Sequence, residues 1–330
     1  MSAPWLERAG KQLDTLLAST TAPVVLHGQQ AFGLFELAQE RIAALLCEAR
    51  VGQQACGTCH ACAMRLAHHH PDCRVLLPDA VALGMGLERD IKSGTKPSQE
   101  LRIDDVRELQ GFFSTSSTRG QERYLLVYPF DALNLNTANA LLKVLEEPPH
   151  GLRFVLVGQR IENLLPTIRS RCQLLDAALP SETERVKWLE GQGVSQADVA
   201  LSLAAGDPFS ALKLSRDEPD ALALRKQWLE WLAQPQSLGS LPAGLDKLPL
   251  WVAMELAMLL NHDCASVNQG GKAMHFPWLA PKLLWAKQSN LLQLSRVYTA
   301  IQGEFRLAHH PINPRLALEF IAQQWHTLVK

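Results

Sequence analysis

Four cysteines, Cys47, Cys56, Cys59 and Cys62, stand in a C-x8-C-x2-C-x2-C pattern. A thiolate is a soft anionic donor, and four of them can close a tetrahedral shell around zinc. The C-x2-C step is a usual chelating turn, and two such steps overlap at Cys59. With all four positions filled by protein, none stays open for water or substrate, so such a zinc is structural. The first spacer is unusual for a ribbon or finger. His60 and the run His68, His69 and His70 are nearby substitutes, although His70-Pro71-Asp72 fits the opening of the next strand better. Three exposed cysteines so close together would be prone to oxidation without a metal. Cys73, Cys172 and Cys264 lack ligand-like spacing and read as core thiols.

A second chemical candidate is the stretch Gly28-Gln29-Gln30-Ala31-Phe32-Gly33-Leu34-Phe35. It lies between a short apolar strand, Pro23 to Leu26, and a helical pattern from Leu34 to Ala49. A working phosphate loop reads G-x-x-x-x-G-K-[ST], its lysine holding phosphate and its hydroxyl holding magnesium. Both glycines are present, but Leu34 replaces the lysine and Phe35 the hydroxyl. An aliphatic chain cannot pair with phosphate, and a phenyl ring cannot ligate a hard cation. An unrelated glycine turn explains these residues as well as a decayed loop does.

The elements that must position these groups follow from periodicity. Residues 4 to 20 are predicted to form an amphipathic helix carrying Trp5, Leu6, Leu13, Leu16 and Leu17. Buried strands are expected at Arg74–Leu77, Tyr124–Tyr128, Phe154–Val157 and Gln173–Leu175. Between the middle two, Ala138, Leu141, Leu142 and Leu145 recur at helical spacing over 136–147. Asn136 is the expected cap, and Pro148 and Pro149 stop the helix. Ile103 to Phe113 reads as a helix, and residues 79 to 99 as a loop. Short helices are expected from Ser181 to Leu214. From Ala221 onward candidate helices fall at 221–233, 247–263, 277–288, 289–307 and 313–329. Six of the eight tryptophans lie in this last part, where most must be core.

The bulk numbers narrow the function classes. The chain has 330 residues, enough for two or three domains, with 47% hydrophobic and 20% charged residues. A net charge of −1 without a long Lys/Arg run argues against a chain that grips duplex DNA unaided. No signal peptide and no apolar run of about 18 residues is seen, so a cytoplasmic location is expected. There the seven cysteines would be thiols or metal ligands.

Asn139-Ala140-Leu141-Leu142-Lys143-Val144-Leu145-Glu146-Glu147-Pro148-Pro149, followed by Ser170-Arg171-Cys172, resembles the clamp-loader branch of the AAA+ ATPases. The resemblance runs over nearly the whole chain, most strongly from residue 20 to 176. It implies an α/β AAA+ fold: a RecA-like parallel-sheet domain over 1–178 with a zinc module inserted at about 47–62. A small helical lid over 179–214 and an all-α collar over 215–330 would follow. The family carries such a zinc module at matching positions, which supports Cys47, Cys56, Cys59 and Cys62 as ligands. The turn at Gly28, Gly33, Leu34 and Phe35 then becomes a degenerate phosphate loop.

Two more departures point the same way. Family ATPases end the third strand with Asp-Glu, for magnesium and water activation, and the alignment of motifs puts Tyr128 and Pro129 there, with Asp131 beyond the strand end. The lid arginine that senses nucleotide would fall near Phe209. ATP and magnesium are therefore not expected on this chain. Arg171 keeps its chemistry, and in related loaders this arginine reaches the γ-phosphate bound by the neighbouring subunit. A planar cation there stabilises the transferring phosphoryl group, worth about 10³ to 10⁵ in rate. An ordinary surface ion pair, worth about 0 to 1 kcal/mol, is the plainer alternative, and Arg169 is a nearby rival. Glu146, Glu147 and Lys143 could meet an adjoining subunit or simply form a solvated face.

The resemblance thus implies a non-hydrolysing clamp-loader subunit in DNA replication, part of a DNA polymerase holoenzyme. Its partners would be motor subunits (gamma/tau), a delta subunit and, indirectly, the sliding clamp and primed DNA. Two other readings compete: an ATP-binding clamp-loader motor subunit, and a zinc-dependent nucleic-acid-binding module. Nucleotide binding by the isolated chain separates off the first, and salt-sensitive DNA affinity the second.

Overall fold

The computed structural model describes residues 3–28, 33–88, 91, 96–117, 122–178, 180–237, 239–304 and 313–329. The chain divides into two compact units, Met1–Pro180 and Ser181–Lys330.

The first unit is built on a parallel sheet of five strands. In chain order these are β1 (Val24–His27), β2 (Cys73–Leu76), β3 (Arg123–Val127), β4 (Leu152–Gly158) and β5 (Gln173–Asp176). Their spatial order is β2-β3-β4-β1-β5, and every neighbouring pair is parallel. β3 and the β4 core run Leu125, Leu126, Val127 and Phe154, Val155, Leu156, Val157, all essentially without exposure. Such continuous apolar runs mark strands covered on both faces. Because β2 and β3 lie on one side of β4 and β5 beyond β1, the chain reverses its direction of travel across the sheet. Ligands of open α/β sheets bind at the carboxyl ends of strands near such a switch.

The helices of this unit are α1 (Pro4–Ser19), α2 (Leu34–Leu46), α3 (His60–Leu66), α4 (Asp79–Gly84), α5 (Ile103–Glu108), α6 (Gln110–Ser114), α7 (Leu135–Glu146) and α8 (Pro166–Arg169). Three differ from the sequence expectation. The segment from residue 79, expected as loop, opens with α4, whose Asp79 carboxylate pairs with Arg102 at 3.1 Å; residues 89, 90 and 92–95 lie outside the described ones. The helix expected over 103–113 divides at Leu109, the last buried residues Phe112 and Phe113 riding on the separate α6. The cap of α7 is Asn134, not Asn136: its side chain accepts from the Thr137 amide at 3.0 Å. Thr137 in turn donates to the Leu101 carbonyl at 2.7 Å, fixing the start of α7 against the segment before α5.

The second unit is helical: α9 (Glu182–Gly191), α10 (Ala197–Leu203), α11 (Pro208–Arg216), α12 (Pro219–Leu232), α13 (Leu250–Asn268), α14 (Leu291–Glu304) and α15 (Pro314–His326). Residues Pro277–Gln288 are wound as 3-10 turns rather than the α-helix expected there. Pro281 inside the segment removes an amide donor and crowds the preceding turn, which disfavours regular α geometry. Trp228 and Trp325 are fully buried in a core formed mainly around α13. Leu203 of α10 joins that same core, so α10 packs with the later helices rather than apart from them. None of the described helices is long and apolar enough to cross a membrane.

Candidate functional site

The cysteine cluster is the first place where side chains far apart in sequence converge. Cys47 ends α2, Cys59 caps α3 by accepting from the Cys62 amide at 3.4 Å, and Cys62 lies in the first turn of α3. The Cys47 sulfur lies 3.8 Å from that of Cys59 and 3.7 Å from that of Cys62. All four sulfurs fall within 4.8 Å of one another. A tetrahedral shell with Zn–S near 2.3 Å has S–S edges of about 3.8 Å. The donor set therefore fits a thiolate-bound metal ion. Amides of Cys56 and Cys59 donate to the sulfurs of Cys47 and Cys56 at 3.2 and 3.3 Å, which stabilises thiolate character. Hydrogen bonds from the Thr58 and Cys59 amides lower the Cys56 thiol to about 6. Burial pushes Cys62 up to about 12. With all four deprotonated these sulfurs would repel strongly, and a bound dication would offset that repulsion. Among the described residues no histidine joins the cluster; His70 instead accepts the Asp72 amide on Nδ1 at 3.1 Å.

The carboxyl ends of β1 and β3 carry the residues compared above with a phosphate loop and an Asp-Glu pair. Gln29, Gln30, Ala31 and Phe32 lie outside the described residues. Gly33 caps α2 with φ 72°, a left-handed conformation that suits glycine. Leu34 and Phe35 turn inward and are 3% and 4% exposed. The Phe35 ring stacks on Tyr128 with centroids 4.4 Å apart and planes 23° from parallel. Phe35 and Tyr128 thus fill the space between them with hydrocarbon.

Asp131, the carboxylate just past Tyr128 and Pro129 in sequence, is otherwise engaged. It accepts from the Gln159 and Arg160 amides at 2.6 and 2.9 Å and from Asn163 Nδ2 at 3.3 Å. It pins the turn after β4, and Gly158 makes room for it: a Cβ there would lie 2.5 Å from Asp131 Oδ2 and 2.7 Å from the Phe130 ring. In the second unit Phe209 packs on Trp188 with centroids 5.2 Å apart.

The opposite chemistry survives at the end of α7. Leu141 and Leu145 of α7 and Ile168 of α8 share one core, which brings the two helix ends together. Arg171, just past α8, meets Glu146, the last residue of α7, with Nη2 2.8 Å from Oε1. Its Nη1 donates to the Thr167 carbonyl at 2.8 Å and lies 3.4 Å from Ser170 Oγ. The two motifs quoted from the sequence are therefore one corner of the fold. The side chains of Arg171 and Glu146 are 40% and 47% exposed. An ion pair this open is worth about 0 to 1 kcal/mol to stability. Arg169, Lys143 and Glu147 are exposed beside it, with no ion-pair partner among the described residues. Cys172 is shielded, and burial pushes its thiol up to about 12.

One cluster was missed in the sequence. His262, Asp263 and His275 bring three ligand-type atoms within 4.8 Å of one another. Asp263 is fully buried, and its two oxygens accept the amides of Met274, His275 and Phe276 at 2.7 to 3.1 Å. Its lone pairs are spent on that loop, so the group reads as a loop anchor. No spacing signal marks it beforehand.

Comparison with known proteins agrees with this geometry. The family described as "DNA polymerase III, delta subunit" matches residues 7–180. DNA polymerase III subunit delta prime of Pseudomonas aeruginosa is 30% identical, covering 98% of this chain and 97% of that one. Its Escherichia coli K12 counterpart is 35% identical over 73% of this chain and 62% of its own length. Among solved structures, a DNA polymerase III gamma subunit-related protein from Thermotoga maritima aligns over 98% of this chain and 100% of its own, at 16% identity and a TM-score of 0.51. That likeness shows the fold: an AAA+ parallel-sheet domain followed by helices. The chain belongs to the family of DNA polymerase III delta prime subunits.

Proposed function

We propose that this chain is a non-hydrolysing member of a clamp-loader pentamer that lends Arg171 to the nucleotide site of an adjacent motor subunit. The observation that carries the reading is a pairing of opposites within one domain. Phe35 and Tyr128 stack where magnesium ligands would be needed, while Arg171 stays exposed and held at the surface. A guanidinium already oriented there matches the spread charge of a transferring phosphoryl group. The motor subunits (gamma/tau) and a delta subunit are the proposed partners, and the assembled machine would place the sliding clamp on primed DNA in the cytoplasm. Within the second unit, the helices up to residue 214 would serve as lid and those from 215 as collar. Met274, Leu284 and Leu292 are large apolar side chains left open there, as packing against other subunits requires.

The metal of the cysteine cluster is proposed to be zinc, with a structural role. Metal analysis of the purified chain should find about one zinc per chain, and Cys62→Ser should lose it. The functional reading is tested by titrating the isolated chain with a fluorescent ATP analogue in the presence of magnesium. No saturable binding and no turnover are expected. Tight binding with hydrolysis would return the chain to the motor class.

A further inference from the structure

We infer that Glu146 is a positioning residue for Arg171, holding its guanidinium at the surface in the orientation a neighbour's phosphate group needs. The inference rests on the proposed role of Arg171 and adds to it a residue with no contact to nucleotide.

Three features of the corner support it. Glu146 closes α7, where the unsatisfied carbonyls of the last turn disfavour a carboxylate. Neither packing nor capping asks for an acid at this half-exposed position; among the described residues its side chain pairs with Arg171. Second, the guanidinium is gripped from two sides, by Glu146 on Nη2 and by the Thr167 carbonyl on Nη1. An arginine side chain on a surface samples many rotamers, and two anchors select a narrow set among them. Third, the grip leaves donors over. Of five N–H groups, these two contacts and the longer one to Ser170 occupy three. The Nε–H and one hydrogen on Nη2 remain for an oxyanion. Holding the arginine and offering it are therefore compatible, and Glu146 need not leave when phosphate arrives. Arg169, exposed and without such an anchor among the described residues, has no comparable preorganisation there.

The test uses the complete complex of this chain with its motor and delta subunits, reading DNA-stimulated ATP turnover. The chain is supplied unaltered or as Glu146→Ala, Glu146→Gln, Arg171→Ala and the Glu146→Ala/Arg171→Ala pair. Glu146→Ala should lower kcat by up to about 10²-fold at the adjoining site, the cost of a misplacement near 1 Å, with KM for ATP unchanged. Glu146→Gln keeps an acceptor oxygen and should recover part of the loss. Glu146→Ala should add nothing once Arg171 is gone. Unchanged or faster turnover for Glu146→Ala, or the same fractional loss on the Arg171→Ala background, overturns the positioning role. A slow Arg171→Ala complex beside a normal Glu146→Ala one removes that role alone, and an Arg171→Ala complex of normal speed removes the underlying reading with it.

Discussion

Two corners of the same sheet domain have kept opposite things. At the carboxyl ends of β1 and β3 stand Leu34, Phe35 and Tyr128, and the rings of the last two stack. At the shared end of α7 and α8, charged residues stand open to solvent and pair with each other. The first corner gains stability from its rings: an aromatic pair contributes about 0.5 to 1.5 kcal/mol beyond its buried area. The second gains almost nothing, since an exposed pair contributes about 0 to 1 kcal/mol. A fold does not need catalytic groups, and on the proposed reading hydrocarbon takes their place where they would be buried. Residues that add little to stability, yet hold a defined geometry at a surface, are better explained by what they meet in a complex.

Four measurements can break or sharpen that contrast. Phe35→Ala should be the most damaging, costing about 3 to 5 kcal/mol in a denaturant titration because a packed ring is lost from a closed site. A negligible cost would mean that the pocket is not filled and the contrast fails. Next, the thiol of Cys172 is raised by burial to about 12 from a usual 9.0. At pH 8 its thiolate fraction should be about 10³ below that of the unfolded chain, so iodoacetamide should label it correspondingly slowly, faster only as pH rises toward that value. Rapid labelling would show that the core under Arg171 is loose and its orientation unsupported. Gly158→Ala forces a methyl against Asp131 and Phe130, a clash costing about 1 to 3 kcal/mol; unchanged stability would mean that the turn after β4 is not the tight one described. Smallest of all, Arg171→Ala should shift stability by about 0 to 1 kcal/mol. A loss several times larger would make the arginine a structural residue.

Much of this was legible before the structure. The apolar runs of β1, β3 and β4 and the helical spacing of Ala138, Leu141 and Leu145 needed only period and length, and the cysteine spacing already named its four members. What was not legible depended on choices between near equals or on contacts across the fold. Asn134 and Asn136 flank Leu135, and either could cap a helix; the Thr137 contact to the Leu101 carbonyl favours the earlier one. Pro281 lies at a spacing that an apolar count ignores, yet it is enough to leave 277–288 as 3-10 turns. Phe35 and Tyr128 each stood out as apolar or aromatic residues in motif positions, but their mutual stacking depends on contacts across the fold. Glu146 and Arg171 likewise stood in separate motifs until α7 packed on α8.

The most direct trial of the account is ATP turnover by the assembled, DNA-bound complex carrying Arg171→Ala, with assembly checked by gel filtration. The account predicts an intact complex in which the motor site next to this chain is slowed by about 10³-fold or more. Full turnover from that intact complex would contradict it.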